Sequence, residues 1–209
     1  MKKKLAEFSP VTAILRGYDY EQVKTVVEVL LDSQVRAVEI TLNREDSMQI
    51  IRKIVEAYGD SIAVGAGTVL KKQDLEQVIE IGADFVLSPI MFSPAMLDLC
   101  KQHAVISIPG AYSPTEIYQS FHDGADIVKV FPARGLGTKY FQDIAAPFGE
   151  LPLMAVGGVN AENVAQYRKA GAKYVGIASG IFQPQDIKRQ DKVGLKKSLS
   201  YFESRVKGD

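Results

Sequence analysis

Eight short apolar runs recur along this chain: Val11 to Leu15, Ala37 to Ile40, Ile62 to Ala66, Phe85 to Leu87, Val105 to Ile108, Ile127 to Val130, Leu153 to Val156 and Tyr174 to Ile177. The segments between them carry apolar residues at helical spacing, as in Val23, Val26, Val27, Leu30 and Leu31, or Leu75, Val78 and Ile79. Strand therefore alternates with helix, which implies parallel strands joined by right-handed crossovers. Eight such units, with no linker and no change of composition, predict a sheet closed on itself. The expectation is an α/β protein, a (β/α)8 TIM barrel, with one domain over residues 1–209. An open doubly wound sheet is the second architecture that alternation permits. Boundary residues agree with either: Asp46 and Asn160 stand where helix N-caps belong. Gly82, Gly124 and Gly171, each followed by Ala, stand where helices should stop.

With 46% hydrophobic residues in 209, the chain can bury the core of one globular domain. Its 25 basic and 25 acidic side chains cancel, and no long single-sign block offers a footprint for nucleic acid or an anionic membrane. Lys2 to Lys4 read as a solvated terminus. Lys188 to Lys197 reads as a surface helix, because Asp191 and the periodic Leu195 and Leu199 interrupt its charge. Cys100 is the single cysteine, so the chain can build neither an internal disulfide nor a thiolate metal cluster, and a reducing compartment suits it. No apolar stretch approaches the ~18 residues of a membrane span, and no signal-type apolar region follows the charged start. The expected location is the cytoplasm.

Lys129 interrupts the run Ile127-Val128-Lys129-Val130-Phe131-Pro132 with an ammonium. In a strand, Ile127, Lys129 and Phe131 share one face, while Val128 and Val130 share the other. If the valines pack under a helix, Lys129 points into the space the sheet encloses. Burial there disfavours the charged form and yields a nucleophilic amine. A lysine that reaches solvent or sits in a structural ion pair is the alternative. Glu39 repeats the pattern: Ala37, Glu39 and Thr41 share one face, Val38 and Ile40 the other. Burying both charges without a use costs more than filling the space with apolar side chains. A carboxyl group beside a nucleophilic amine supplies the parts of a proton-shuttling Schiff-base enzyme.

The remaining polar residues fall at strand ends, where barrels of this type carry their catalytic loops. Arg16-Gly17 follows the first strand, Gly67-Thr68 the third, Ser88-Pro89 the fourth, Gly157-Gly158 the seventh and Ser179-Gly180 the eighth. The last two turns occupy the position where such barrels bind phosphate through backbone N–H groups. A tight turn alone would also use Gly-Gly. The two histidines, His103 and His122, fall in helices or their exits and lack ligand spacing, so no metal is expected, and a covalent imine on Lys129 would need no other cofactor.

Taken in order, Ile14-Leu15-Arg16-Gly17, Val38-Glu39-Ile40-Thr41-Leu42, Gly65-Ala66-Gly67-Thr68-Val69, Ser88-Pro89, Pro109-Gly110, Lys129-Val130-Phe131-Pro132-Ala133 and Val156-Gly157-Gly158-Val159 span nearly the whole chain. As a set they resemble the 2-keto-3-deoxy-6-phosphogluconate and 4-hydroxy-2-oxoglutarate aldolases, class I pyruvate aldolases. The resemblance implies a homotrimer of (β/α)8 barrels with a Schiff-base lysine at Lys129 and a general acid/base at Glu39. It further implies that Thr68, Pro89 and Phe131 line the pyruvate site and that Gly157, Gly158 and Ser179 bind a distal phosphate. The implied small molecules are a phosphorylated 2-keto-3-deoxy sugar acid, pyruvate and glyceraldehyde 3-phosphate, or 4-hydroxy-2-oxoglutarate cleaved to pyruvate and glyoxylate.

One position departs from that pattern. Where the phosphogluconate enzymes carry an arginine after Glu-x-Thr-Leu, this chain has Asn43; Arg44 comes one residue late and, on an extended segment, faces the other way. Asn43 together with Arg16 is similar to the 2-keto-3-deoxy-6-phosphogalactonate branch. The role of carboxylate anchor passes to Arg16, since a guanidinium donates two parallel hydrogen bonds to a carboxylate. A phosphosugar isomerase or epimerase using Glu39 as base, or a non-catalytic phosphometabolite-binding barrel, are the competing functions on the same fold.

Overall fold

The computed structural model describes residues 5–206, so the Lys2 to Lys4 terminus lies outside the described residues. Nine strand segments are described: β1 Val11–Leu15, β2 Ala37–Thr41, β3 Ala63–Gly67, β4 Phe85–Leu87, β5 Ile106–Ile108, β6 Gly110–Ala111, β7 Val128–Val130, β8 Leu153–Val156 and β9 Tyr174–Ile177. They pair in parallel in the order β5-β4-β3-β2-β1-β9-β8-β7-β6. The two ends of that order are consecutive in the chain, separated only by Pro109. Ile127 N donates to Ser107 O at 3.2 Å and Lys129 N to Pro109 O at 2.9 Å, which closes the sheet into a barrel. The open sheet is thereby excluded. The fifth strand, expected over Val105 to Ile108, continues past a break at Pro109, whose nitrogen has no hydrogen to give the ladder.

Ten α-helices are described around this barrel: α1 Tyr20–Leu30, α2 Ser47–Tyr58, α3 Lys72–Ile81, α4 Pro94–Gln102, α5 Pro114–His122, α6 Ala133–Leu136, α7 Lys139–Phe148, α8 Val164–Lys169, α9 Pro184–Arg189 and α10 Lys192–Val206. Reciprocal capping boxes start α1 (Asp19 with Gln22) and α5 (Ser113 with Glu116). The expected caps at Asp46 and Asn160 need correction. Asp46 precedes α2 but caps it with no side-chain hydrogen bond, its carboxylate being taken by Arg44. Asn160 Oδ1 accepts from the backbone N of Glu162 and Asn163, capping a turn ahead of α8 rather than α8 itself. The basic stretch divides between α9 and α10, and Leu195 and Leu199 are buried beneath it.

The repeated Gly-Ala-(Asp or Lys) acquires a physical meaning at the N-terminal end of the barrel. Gly82, Gly124 and Gly171 have φ of 89°, 102° and 110°, a region that favours glycine, and each ends a helix. The Ala that follows, buried at Ala83 and Ala172 and half-buried at Ala125, leads into the next strand. In two of the units the Asp ties that strand to its predecessor: Asp84 accepts from Val64 N at 3.0 Å, and Asp126 from Ser107 N at 2.8 Å and Ser107 Oγ at 2.9 Å.

Alternation along the strands separates two apolar clusters. Val38, Ile40, Val64, Val128 and Val130 belong to the shell between sheet and helices, whereas Ile14, Ala37, Phe85, Ile108, Ile127 and Met154 fill the barrel lumen. Phe8 closes the bottom of the lumen, its ring 5.0 Å from that of Phe85 and 5.9 Å from that of Tyr174. No pattern in the sequence marked Phe8 for this part, since it lies before the first strand. Among the described residues no helix is long and apolar enough to cross a membrane.

Candidate active site

Because all strands run parallel, their C-terminal ends open at one mouth, and the inward faces of β2 and β7 each deliver one charge below it. Glu39 is 1% exposed and Lys129 4% exposed. The flanking Val38, Ile40, Val128 and Val130 all lie in the outer shell, so the alternation expected from sequence holds at both strands. Register places Glu39 between Ile14 of β1 and Gly65 of β3, and Lys129 between Gly110 of β6 and Met154 of β8.

Two glycines make room for these charges and their surroundings. A Cβ on Gly67 would stand 1.5 Å from Glu39 Oε1, so the carboxylate lies directly over that residue. A Cβ on Gly110 would stand 2.5 Å from the carbonyl carbon of Pro89, which brings the loop after β4 against the strand beside Lys129. Glu39 Oε2 is buried and accepts no hydrogen bond from the protein. The Lys129 ammonium lies 4.7 Å from the centroid of the Phe131 ring.

Burial dominates the electrostatics of both groups. It pushes the Lys129 amine below the ordinary lysine range; Arg16 adds to that shift and Glu39 opposes it. It pushes the Glu39 carboxyl above the ordinary range, against the pull of Lys129 and Arg16. A carboxylate and desolvation act oppositely on Lys129, and desolvation is the larger of the two. The net shift is toward the neutral amine and toward the protonated acid, the direction a low-dielectric enclosure imposes.

A cavity of about 370 Å³ opens above Lys129 and is bordered by Arg16, Phe131, Gly157, Gly158 and Ser179, all expected at the site. Gly157 and Gly158 have φ of 95° and 88°, and a Cβ on Gly180 would stand 2.4 Å from Val159 O, so both turns use glycine for close backbone approach. Glu39 does not border this cavity. Thr68 and Pro89 share the same barrel end but do not border it: Thr68, with φ of 60°, follows the Gly67 that supports Glu39, and Pro89 packs on Gly110. A second cavity of about 370 Å³ is bordered by residues of α7 and α8, Arg168 among them, and by Lys173, and shares no residue with the first.

Asn43 and Arg44 take the positions that their spacing implied. Arg44 turns outward and binds Asp46 through two hydrogen bonds of 2.8 and 2.9 Å. Asn43 turns back: its Oδ1 accepts from the Thr41 hydroxyl, and its Nδ2 lies 3.9 Å from where a Gly17 Cβ would stand, next to Arg16. Two cavity residues escaped the sequence reading. Arg134 stands on α6, which no apolar periodicity announced, and Asn160 was assigned only a capping role. Asn160 does form part of a turn lock, since its N–H donates to Asn163 Oδ1 at 2.9 Å while Asn163 Nδ2 donates to Gly158 O at 2.9 Å. Among the described residues no group of three or more His, Cys, Asp or Glu could hold a metal ion.

The family described as KDPG and KHG aldolase matches residues 2–197. A probable 2-dehydro-3-deoxy-6-phosphogalactonate aldolase of Rhizobium meliloti (strain 1021) is 34% identical over 176 residues, 84% of this chain and 82% of that protein. The 2-dehydro-3-deoxy-6-phosphogalactonate aldolase of Escherichia coli (strain K12) is 33% identical over 175 residues, 83% of this chain and 85% of the other. A solved structure described as native KDPGal superposes with a TM-score of 0.85 at 29% identity, over 99% of both chains. With a buried lysine and carboxyl group on opposite strands of a closed barrel, and a family match over nearly its whole length, the chain belongs to the KDPG and KHG aldolases and is a carbon–carbon lyase.

Proposed function

We propose that this aldolase cleaves a 2-keto-3-deoxy-6-phospho sugar acid, of the galactonate type in preference to the gluconate type, through an imine on Lys129. The observation that carries the reading is the burial of Lys129 and Glu39 on the inward faces of β7 and β2, with the amine pushed toward its neutral form. Neutral Lys129 attacks the C2 ketone and, with a proton from the Glu39 carboxyl and loss of water, forms a protonated imine that acts as the electron sink and leaves Glu39 ionised. Glu39, ionised for this step, removes the C4 hydroxyl proton directly or through water. The C3–C4 bond then breaks, glyceraldehyde 3-phosphate leaves, and an enamine remains. Glu39 returns the proton to C3, and hydrolysis of the imine frees pyruvate and the amine. Arg16 anchors the substrate carboxylate, Thr68, Pro89 and Phe131 enclose the pyruvoyl end, and Gly157, Gly158 and Ser179 hold the phosphate. No cofactor is required beyond the imine.

The galactonate preference is supported by Asn43 packing beside Gly17, the residue that follows Arg16, while Arg44 is occupied by Asp46. We further infer a homotrimer located in the cytoplasm, for which Leu70 and Ile90, exposed in the loops after β3 and β4, offer apolar surface for subunit contact. The test is a coupled pyruvate-release assay on 2-keto-3-deoxy-6-phosphogalactonate, its gluconate epimer and 4-hydroxy-2-oxoglutarate. The expected order of kcat/KM places the galactonate substrate first. A higher value for the gluconate epimer would remove the preference, and no pyruvate from any of the three would remove the reading.

A further inference from the structure

We propose that Arg134 is the specificity residue for the substrate's distal phosphate, adding one side-chain cation to turns otherwise built of backbone N–H groups; the inference rests on the aldolase reading above. Its backbone N donates to Gly157 O at 2.9 Å, which ties the start of α6 to the Gly-Gly turn after β8. A Cβ on Gly158 would lie 2.6, 3.3 and 3.1 Å from Arg134 Cβ, Cγ and Cδ, so the aliphatic stem of Arg134 runs along Gly158. Gly158 therefore answers two demands at once, its φ of 88° and the passage of this side chain. Arg134, Gly157, Gly158 and Ser179 all border the same cavity.

Charge points the same way. Arg16, Lys129 and Arg134 border the cavity, and no carboxylate does. Arg134 belongs to none of the ion pairs among the described residues, whose partners are Lys24, Arg44, Lys72, Lys173 and Lys192. A guanidinium without a carboxylate, held at a turn rich in backbone donors, matches a phosphate oxyanion in geometry and sign. The substrate carries a carboxylate at one end and a phosphate at the other. Two arginines on separate elements, Arg16 in the loop after β1 and Arg134 on α6 after β7, divide these two anions between them. A merely solvated arginine at this position would leave the enzyme indifferent to its loss.

The experiment compares the intact wild-type chain with Arg134→Gln and Arg134→Lys on a 2-keto-3-deoxy-6-phospho sugar acid and on the same sugar acid without phosphate. Arg134→Gln is expected to lower kcat/KM for the phosphorylated substrate about 10- to 100-fold, chiefly through KM, the range for losing one charge-assisted hydrogen-bonding group. Against the unphosphorylated substrate the change stays within about 3-fold, and Arg134→Lys recovers part of the loss. Equal losses on both substrates, or none on either, overturn the proposal. Calorimetric titration with inorganic phosphate supplies a readout independent of turnover. Arg134→Gln weakens phosphate binding about tenfold or more, and an unchanged affinity overturns the assignment of Arg134. If the wild-type protein cleaves neither substrate, the aldolase reading fails, while the phosphate titration still decides Arg134.

Discussion

Gly67→Ala isolates the placement of Glu39 from its chemistry. The added methyl would stand 1.5 Å from Oε1, 2.4 Å from Cδ and 2.8 Å from Cγ of Glu39. Ordinary carbon–oxygen contact is roughly 3.5 Å, so the carboxyl group must retreat by roughly 2 Å. Gly67 lies in β3 and is not among the positive-φ residues, so alanine introduces no backbone strain of its own. A misplacement of ~1 Å in a catalytic group costs about 10²-fold, and complete loss of a general acid/base about 10²- to 10⁴-fold. The expected fall in kcat/KM therefore lies between about 10²- and 10⁴-fold. Overpacking adds a stability loss of about 1–3 kcal/mol, which leaves a domain of this size folded at 25 °C. Pyruvate release measured on Gly67→Ala, Glu39→Gln and the double variant makes the attribution specific. If the methyl acts by displacing Glu39, it adds less than about 3-fold to the loss already caused by Glu39→Gln. Near-wild-type turnover in Gly67→Ala, or losses that multiply in the double variant, would refute the reasoning.

Three further outcomes follow from the electrostatics and the strand ties. Glu39→Gln stabilises the fold at pH 8: burial holds the folded carboxyl above its unfolded range, so ionisation there favours the unfolded chain. The midpoint rises by on the order of 2–4 °C, equivalent to about 1 kcal/mol, and the gain disappears near pH 4, where both states are protonated; an equal midpoint difference at both pH values would contradict this. Arg16→Gln removes a cation that holds the Lys129 amine down, so the rising limb of kcat/KM against pH moves to higher pH, while KM for the keto acid increases about 10-fold. A limb that moves toward acid would reverse the assignment. Asp126→Ala strips the Ser107 backbone and hydroxyl of their acceptor at the far end of the barrel and lowers stability by about 1–3 kcal/mol in denaturant unfolding, with kcat/KM within about 2-fold.

The barrel was legible because its strands alternate between two environments that differ in what they accept. A charge at Lys129 or Glu39, flanked by valines and isoleucines that must meet helices, has only the lumen left to enter. Arg44 was legible by the same parity, one residue out of phase with the inward face. Other parts depended on contacts that period cannot express. The pairing of Pro109 O with Lys129 N depends on closure of the sheet onto β7, and the plug at Phe8 on the shape of the space beneath Phe85 and Tyr174. Arg134 enters the site because its stem crosses Gly158, a meeting of two loops 24 residues apart in the chain. Asn160 looked like a helix cap because its spacing to the next apolar residues was right, yet the intervening turn takes its hydrogen bonds.

Covalent trapping tests the central claim most directly. The protein is incubated with pyruvate and reduced with borohydride, and the adduct is mapped by peptide mass spectrometry. The account predicts one reduced pyruvate adduct, on Lys129, absent from Lys129→Ala and retained, though formed more slowly, in Glu39→Gln. No adduct on Lys129 in the wild-type protein, or equal labelling of Lys129→Ala, would contradict it.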